Sequence, residues 1–210
     1  YDQKYSEPMT FTFQVVNRNG SSITQEQERY LNKWLCHRGE YSWMFIQEPR
    51  YADVYFKAII SNPKVIVISD VVGLEYTVTT SSATCFSDEY DYTVSLTKSD
   101  NFLELYLFND DECMIYPYLE ITLQESGNFL LKNSAENDAS YYLEIKNLAK
   151  GEIITIDGEL PSISSSLSHD VWNDFNKFWF RLYDDYNKIT ANLACTINIK
   201  YRETRRLIVY

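Results

Sequence analysis

Apolar and polar residues alternate at period two along most of this chain, and only one stretch adopts a helical period, which restricts it to a mainly β fold. Over residues 9–16 the apolar positions Met9, Phe11, Phe13 and Val15 fall on one strand face. Over residues 51–60, Ala52, Val54, Phe56, Ala58 and Ile60 alternate with Tyr51, Asp53, Tyr55 and Lys57, giving one buried and one wet face. Between them Asn17-Arg-Asn-Gly20-Ser-Ser breaks the first strand. Thr24 and Gln27 then have capping-box spacing. Tyr30, Leu31, Trp34 and Leu35 form an apolar stripe, so the spacing predicts a helix over residues 24–37 with Trp34 as a core anchor. A short strand is expected at 41–46, an interruption at Asn62-Pro63, a β-branched run at 64–69, a turn at Gly73 and a strand at 74–80.

Beyond Tyr116-Pro117 the pattern is strands only, which sets a boundary near residue 109: an α+β domain over 1–108 and a β-sandwich or jelly-roll domain over 109–210. Strands are expected at 119–123, 129–131, 141–145, 153–156, 178–182, 188–190 and 195–201. The stretch at 162–168 reads as a loop. Because the chain opens on Tyr1 and a strand follows almost at once, the first domain is expected to be shortened at its amino end.

A net charge of −11 and a sequence pI of about 4.6 argue against nucleic acid or an anionic membrane surface as the principal partner. No run of 18 apolar residues and no signal-peptide pattern is present, so neither membrane insertion nor export is expected. Cys36, Cys85, Cys113 and Cys195 are irregularly spaced and read as reduced thiols. The two histidines stand apart: His37 ends the helix, where its cation suits the helix dipole. His169, in Ser168-His-Asp170, echoes part of a hydrolase triad, but without a G-x-S-x-G elbow. The acidic groups Asp88-Glu89-Asp91, Asp110-Asp111-Glu112 and Asp184-Asp185 lack calcium-loop spacing and read as solvated turns. Asp157, after a β run, reads as a turn cap. No catalytic, cofactor-binding or metal-binding residue is assigned, and no cofactor is expected. Tyrosine is abundant, at 18 residues, which fits partner surfaces as well as strand propensity.

The order of elements resembles a known family. Phe11-Thr-Phe13, the helix with Glu26, Glu28 and Trp34-Leu35, the strand over 51–58 and the 73–80 strand followed by Cys85-Phe86 are similar to the ring-forming first domain of siphophage distal tail proteins. Tyr116-Pro117, Gly151-Glu152-Ile-Ile-Thr-Ile156-Asp157, the 178–182 segment and Asn187 to Thr190 resemble their galectin-like sandwich. Where that pattern has Gly before the Asn-x-Ile turn, this chain has Asp184-Asp185-Tyr186. The resemblance implies a non-enzymatic structural adaptor at the virion tail tip, made in the bacterial cytoplasm. Copies would close into a ring, a hexamer when full length, that joins the tail tube to baseplate and host-recognition proteins. Ring closure needs heterologous contacts, which exposed strand edges of the first domain could supply. The wet-face residues Tyr51 and Tyr55 are the interface candidates. The alternative is a carbohydrate-binding module on the sandwich, contacting host-surface glycans.

Overall fold

The computed structural model describes residues 7–36, 39–68, 70–97, 101–110 and 114–207, and it divides into two compact units. The first comprises residues 1–87 with 204–210, the second residues 88–203. The chain crosses between units at Ser87–Asp88, not near residue 109. The polar residues from Asn109 onward signal a boundary in sequence, but Asn109 lies inside the second unit, and the strands on either side of residue 100 belong to that unit's two sheets.

The first unit contains β1 (Thr10–Val16), α1 (Gln25–Leu35), β2 (Ser42–Phe45), a short 3-10 turn (Pro49–Tyr51), β3 (Tyr55–Val67), β4 (Val71–Thr80) and β5 (Cys85–Phe86). With Thr204 and Arg205 pairing back onto β5, the strands form one antiparallel six-stranded sheet. The period-two reading of β1 holds: its side chains alternate between half-buried and exposed. The capping box also holds, with Thr24 Oγ1 accepting from Gln27 N and Gln27 Oε1 accepting from Thr24 N. Phe56, Ala58, Leu74, Tyr76 and Val78 are the buried side chains on the core side of β3 and β4.

Several expectations fail here. Trp34 and Tyr30 are 64% and 71% exposed, so neither is a core anchor. Ile23 and, about two and three turns beyond the cap, Leu31 and Leu35 face the sheet instead, beside Leu74 and Tyr76. The Tyr76 hydroxyl ties the helix down by donating to Asn32 Oδ1 at 2.8 Å. Asn62-Pro63 does not end the strand: β3 runs through it with a register shift between Ser61 and Lys64, Asn62 taking a φ of 50°. A bulge is where a strand accommodates proline's missing N–H. Gly73 lies within β4 rather than in a turn. A Cβ there would come within 2.9 Å of Val16 Cγ1 and 3.0 Å of Val15 O, so the residue is small because two strands crowd it.

The second unit packs two antiparallel sheets face to face, as the sandwich reading expects. It contains β6 (Tyr90–Leu96), β7 (Leu103–Leu107), β8 (Tyr118–Leu123), β9 (Gly127–Asn133), β10 (Leu143–Leu148), β11 (Ile153–Asp157), β12 (Ser162–Ser165), the short α2 (Val171–Asp174), β13 (Asp185–Ala191) and β14 (Cys195–Tyr201). One sheet runs β12-β11-β8-β14-β6, the other β10-β9-β13-β7. Their inner faces meet through Leu119, Ile121, Ile197 and Ile199 from the first and Phe129, Leu131, Leu143 and Ile189 from the second. The stretch read as a loop supplies β12, and the stretch read as a strand at 178–182 is irregular, its strand pairing among the described residues reduced to an isolated bridge between Ile115 and Leu182. Within the Asp184-Asp185-Tyr186 stretch that departs from the resembled pattern's glycine, Asp185 adopts a φ of 66°. Aspartate is among the few residues that tolerate this left-handed conformation.

Candidate functional site

The interface candidates separate. Tyr51 is buried, 6% exposed, because the Pro49–Tyr51 turn rotates it off the strand alternation and into the core with Val54 and Phe56. It is therefore not a wet-face residue. Tyr55 starts β3, is half-buried, and its ring lies 6.2 Å from that of Phe45.

The histidine reading changes more. His37 lies outside the described residues. His169 has both ring nitrogens on carboxylates: Nδ1 is 2.8 Å from Glu152 Oε1 and Nε2 is 2.9 Å from Asp174 Oδ2. Glu152 is almost wholly buried and also accepts from Ser165 Oγ at 2.6 Å and Ala149 N at 2.8 Å. Asp174 in turn accepts from the Asn147 amide. Hydrogen bonds donated to Asp174 first, then Glu152, raise the imidazole's pKa above its ordinary value, because only the imidazolium can donate from both nitrogens. Burial pushes the Glu152 carboxyl up, but its three donors outweigh that and hold it below its usual value. With both nitrogens committed, His169 has none left to take a proton from a hydroxyl, so this geometry is a clip and not a triad. It fastens the 166–174 segment to the start of β11. The sequence hid it because its members lie 17 and 5 residues from His169.

A second polar knot anchors the segment that follows. Arg181 grips Glu136 through Nε at 3.0 Å and Nη2 at 2.7 Å, and the Tyr183 hydroxyl donates to Glu136 Oε2 at 2.7 Å. Burial and then that bond to Glu136 push the Tyr183 pKa up to about 12. Phe178 lies under the guanidinium at 4.8 Å and stacks on Tyr141 with ring centroids 5.7 Å apart. Asn187, the first residue of the Asn-x-Ile-Thr motif, is fully buried and closes the 183–187 turn: it accepts from Tyr183 N and donates to Tyr183 O.

The acidic groups act as turn and ion-pair partners. Asp88 and Glu89 lie 3.8 Å from Arg202, Asp91 pairs with Lys200 at 3.2 Å, and Asp184 accepts from Asn109 N. Asp111 and Glu112 lie outside the described residues, as does Cys113. Asp157 Oδ1 accepts from the N–H groups of Glu159 and Leu160, the turn-capping role expected of it. Among the described residues no three His, Cys, Asp or Glu side chains converge on a metal position. Cys36, Cys85 and Cys195 enter no disulfide among the described residues, and the Cys85 thiol donates to Arg205 O at 3.2 Å.

Comparison with known proteins gives three findings. A family model described as a phage tail protein N-terminal domain matches residues 1–82, and one described as a phage tail C-terminal domain matches residues 85–201. A search of curated protein sequences gives no match. Among solved structures, the chain is similar to the Dit (gp 19.1) protein of phage SPP1, described as a paradigm of the hub adsorption apparatus in phages infecting Gram-positive bacteria. The TM-score is 0.69 at 11% identity, over 94% of this chain and 79% of that one, which makes the likeness one of fold.

Proposed function

This chain belongs to the phage tail protein family whose two domain models span it, and we propose that it serves as a distal tail hub: a structural adaptor, not an enzyme. In this reading six copies close into a ring through the first unit, and the ring joins the tail tube to baseplate and host-recognition proteins. The chain assembles in the bacterial cytoplasm and ends at the virion tail tip. The observation that carries the reading is the fold held in common with the SPP1 Dit protein along 94% of the chain, both units included. The non-enzymatic part is supported by the polar clusters themselves, whose donors and acceptors are spent on one another. Light scattering and electron microscopy of the full chain test the proposal. A closed ring that restores tail assembly in a phage lacking this protein is expected; a strict monomer that never enters tails would overturn it.

One observation favours a second reading, saccharide binding by the sandwich. The outer face of β8, β14 and β6 has a groove of about 350 Å³ walled by Tyr118, Glu120, Thr122, Thr196 and Asn198. Hydroxyls, an amide and a carboxylate, with the Lys200 ammonium beside them, suit a polyhydroxylated ligand. A glycan array read with wild type and Glu120→Ala separates the two readings.

A further inference from the structure

The two sheets of the second unit turn unlike faces outward. The β12-β11-β8-β14-β6 sheet presents short polar side chains, among them Thr93, Ser95, Thr122, Thr155, Ser164 and Thr196. The other sheet presents rings. On β7 the inward positions are Leu103, Leu105 and Leu107, so Glu104, Tyr106 and the flanking Phe102 and Phe108 share the outer side. Phe102, Tyr106 and Phe108 are 43%, 61% and 72% exposed. Beside them on β13, Tyr186 stands opposite Tyr106 with ring centroids 5.1 Å apart. The face continues past β13, where Lys132 of β9 lies 5.0 Å from the Tyr142 ring.

A scattered exposed ring is ordinary, but a contiguous row of them marks a binding surface. Phe102 and Phe108 stand at the two ends of an extended segment, so the row is about 20 Å long. Its rings are also held in place. Glu104 and Lys188 oppose each other across β7 and β13, yet each goes to a ring: Glu104 accepts from the Tyr186 hydroxyl, and Lys188 Nζ lies 3.8 Å from the centre of the Phe102 ring. Rings fixed before a ligand arrives lose little freedom on binding it.

The make-up of the face selects its ligand. The buried centre of a protein–protein contact is depleted of lysine and glutamate, whereas Glu104 and Lys188 sit within this row. A sugar ring has C–H groups on its faces and hydroxyls around its rim, so it calls for aromatic rings alternating with hydrogen-bonding groups. That is the outward order here: Phe102, Glu104 and Tyr106 along β7, then Tyr186, Lys188 and Thr190 along β13. The length of the row suits a chain of sugars, and the net charge of −11 disfavours an anionic one. We propose that the outer face of β7 and β13 binds a neutral polysaccharide chain, with sugar rings stacked on Phe102, Tyr106 and Phe108 and hydroxyls bonded to Glu104, Lys188 and Thr190. This goes beyond the hub reading, and the site lies on the opposite sheet from the groove at Glu120.

Affinity electrophoresis of the full chain tests it, in gels containing a soluble linear glucan, galactan or rhamnan. At least one of the three should retard the wild type. Phe102→Ala and Tyr106→Ala should each raise the dissociation constant at least about tenfold, with melting temperature by circular dichroism and oligomer size by light scattering unchanged. Glu120→Ala should migrate as the wild type does. No retardation in any of the three gels overturns the proposal. So does retardation that survives Phe102→Ala and Tyr106→Ala combined, or that Glu120→Ala abolishes, which moves the saccharide to the groove. A Tyr106→Ala chain that loses the wild-type oligomer makes this face a contact between copies, overturning the site and leaving the hub reading in place. A monomer still retarded through these rings keeps the site and removes the hub reading.

Discussion

Replacing His169 with Ala should destabilise the second unit by about 2–4 kcal/mol near pH 6. The magnitude follows from what each carboxylate keeps. Hydrogen bonds to charged groups are worth about 1.5–3 kcal/mol net, and stranding a buried charge costs about 3–5. Glu152, 1% exposed, loses its counter-charge but retains Ser165 Oγ and Ala149 N, so its loss falls below that upper range. Asp174 is more open and keeps Asn147, so it adds little. For a unit of this size the expected shift is roughly 10 °C in melting temperature. The pH dependence has a definite sign. The imidazole's folded pKa is raised, so its contribution is complete below the unfolded value of 6.5 and is lost as pH rises through the folded value. The carboxyls are depressed, so their contribution is present above the unfolded values of 4.5 and 3.8 and is lost as pH falls through the folded ones. The clip is thus strongest between about pH 4.5 and 6.5. Urea melts of wild type and His169→Ala at a series of pH values should converge in the alkaline range. A difference below about 0.5 kcal/mol at pH 6, or one that stays constant up to pH 9, refutes the reasoning.

Trp34→Ala should cost under about 1 kcal/mol because the ring is exposed, whereas Phe56→Ala, fully buried, should cost about 3–5 in the same denaturant assay. A fragment spanning residues 88–203 should give a cooperative melt, while one spanning 109–203 should not, since it lacks the β6 partner of β14 and the β7 partner of β13. Arg181→Leu should cost about 2–4 kcal/mol and push the Tyr183 phenol further up in an absorbance titration, because the guanidinium is the charge that opposes its rise while Glu136 stays ionised; amide exchange should accelerate over the 178–183 segment.

What was legible in the sequence is what depends on neighbours along the chain. The capping box of Thr24 and Gln27 and the limits of β14 need only a few consecutive residues, and both appear as read. Readings that depended on what lies opposite went astray. Tyr30 and Trp34 form as good an apolar stripe as Leu31 and Leu35, and only the position of the sheet decides which pair is covered. The boundary near 109 failed because β7 and β6 find their partners about eighty and a hundred residues later, through pairings that leave no local trace.

The same distinction explains why the polar clusters were missed. His169 looked partnerless because Glu152 reaches it across a sheet edge, and a buried carboxylate beside a histidine has no spacing rule.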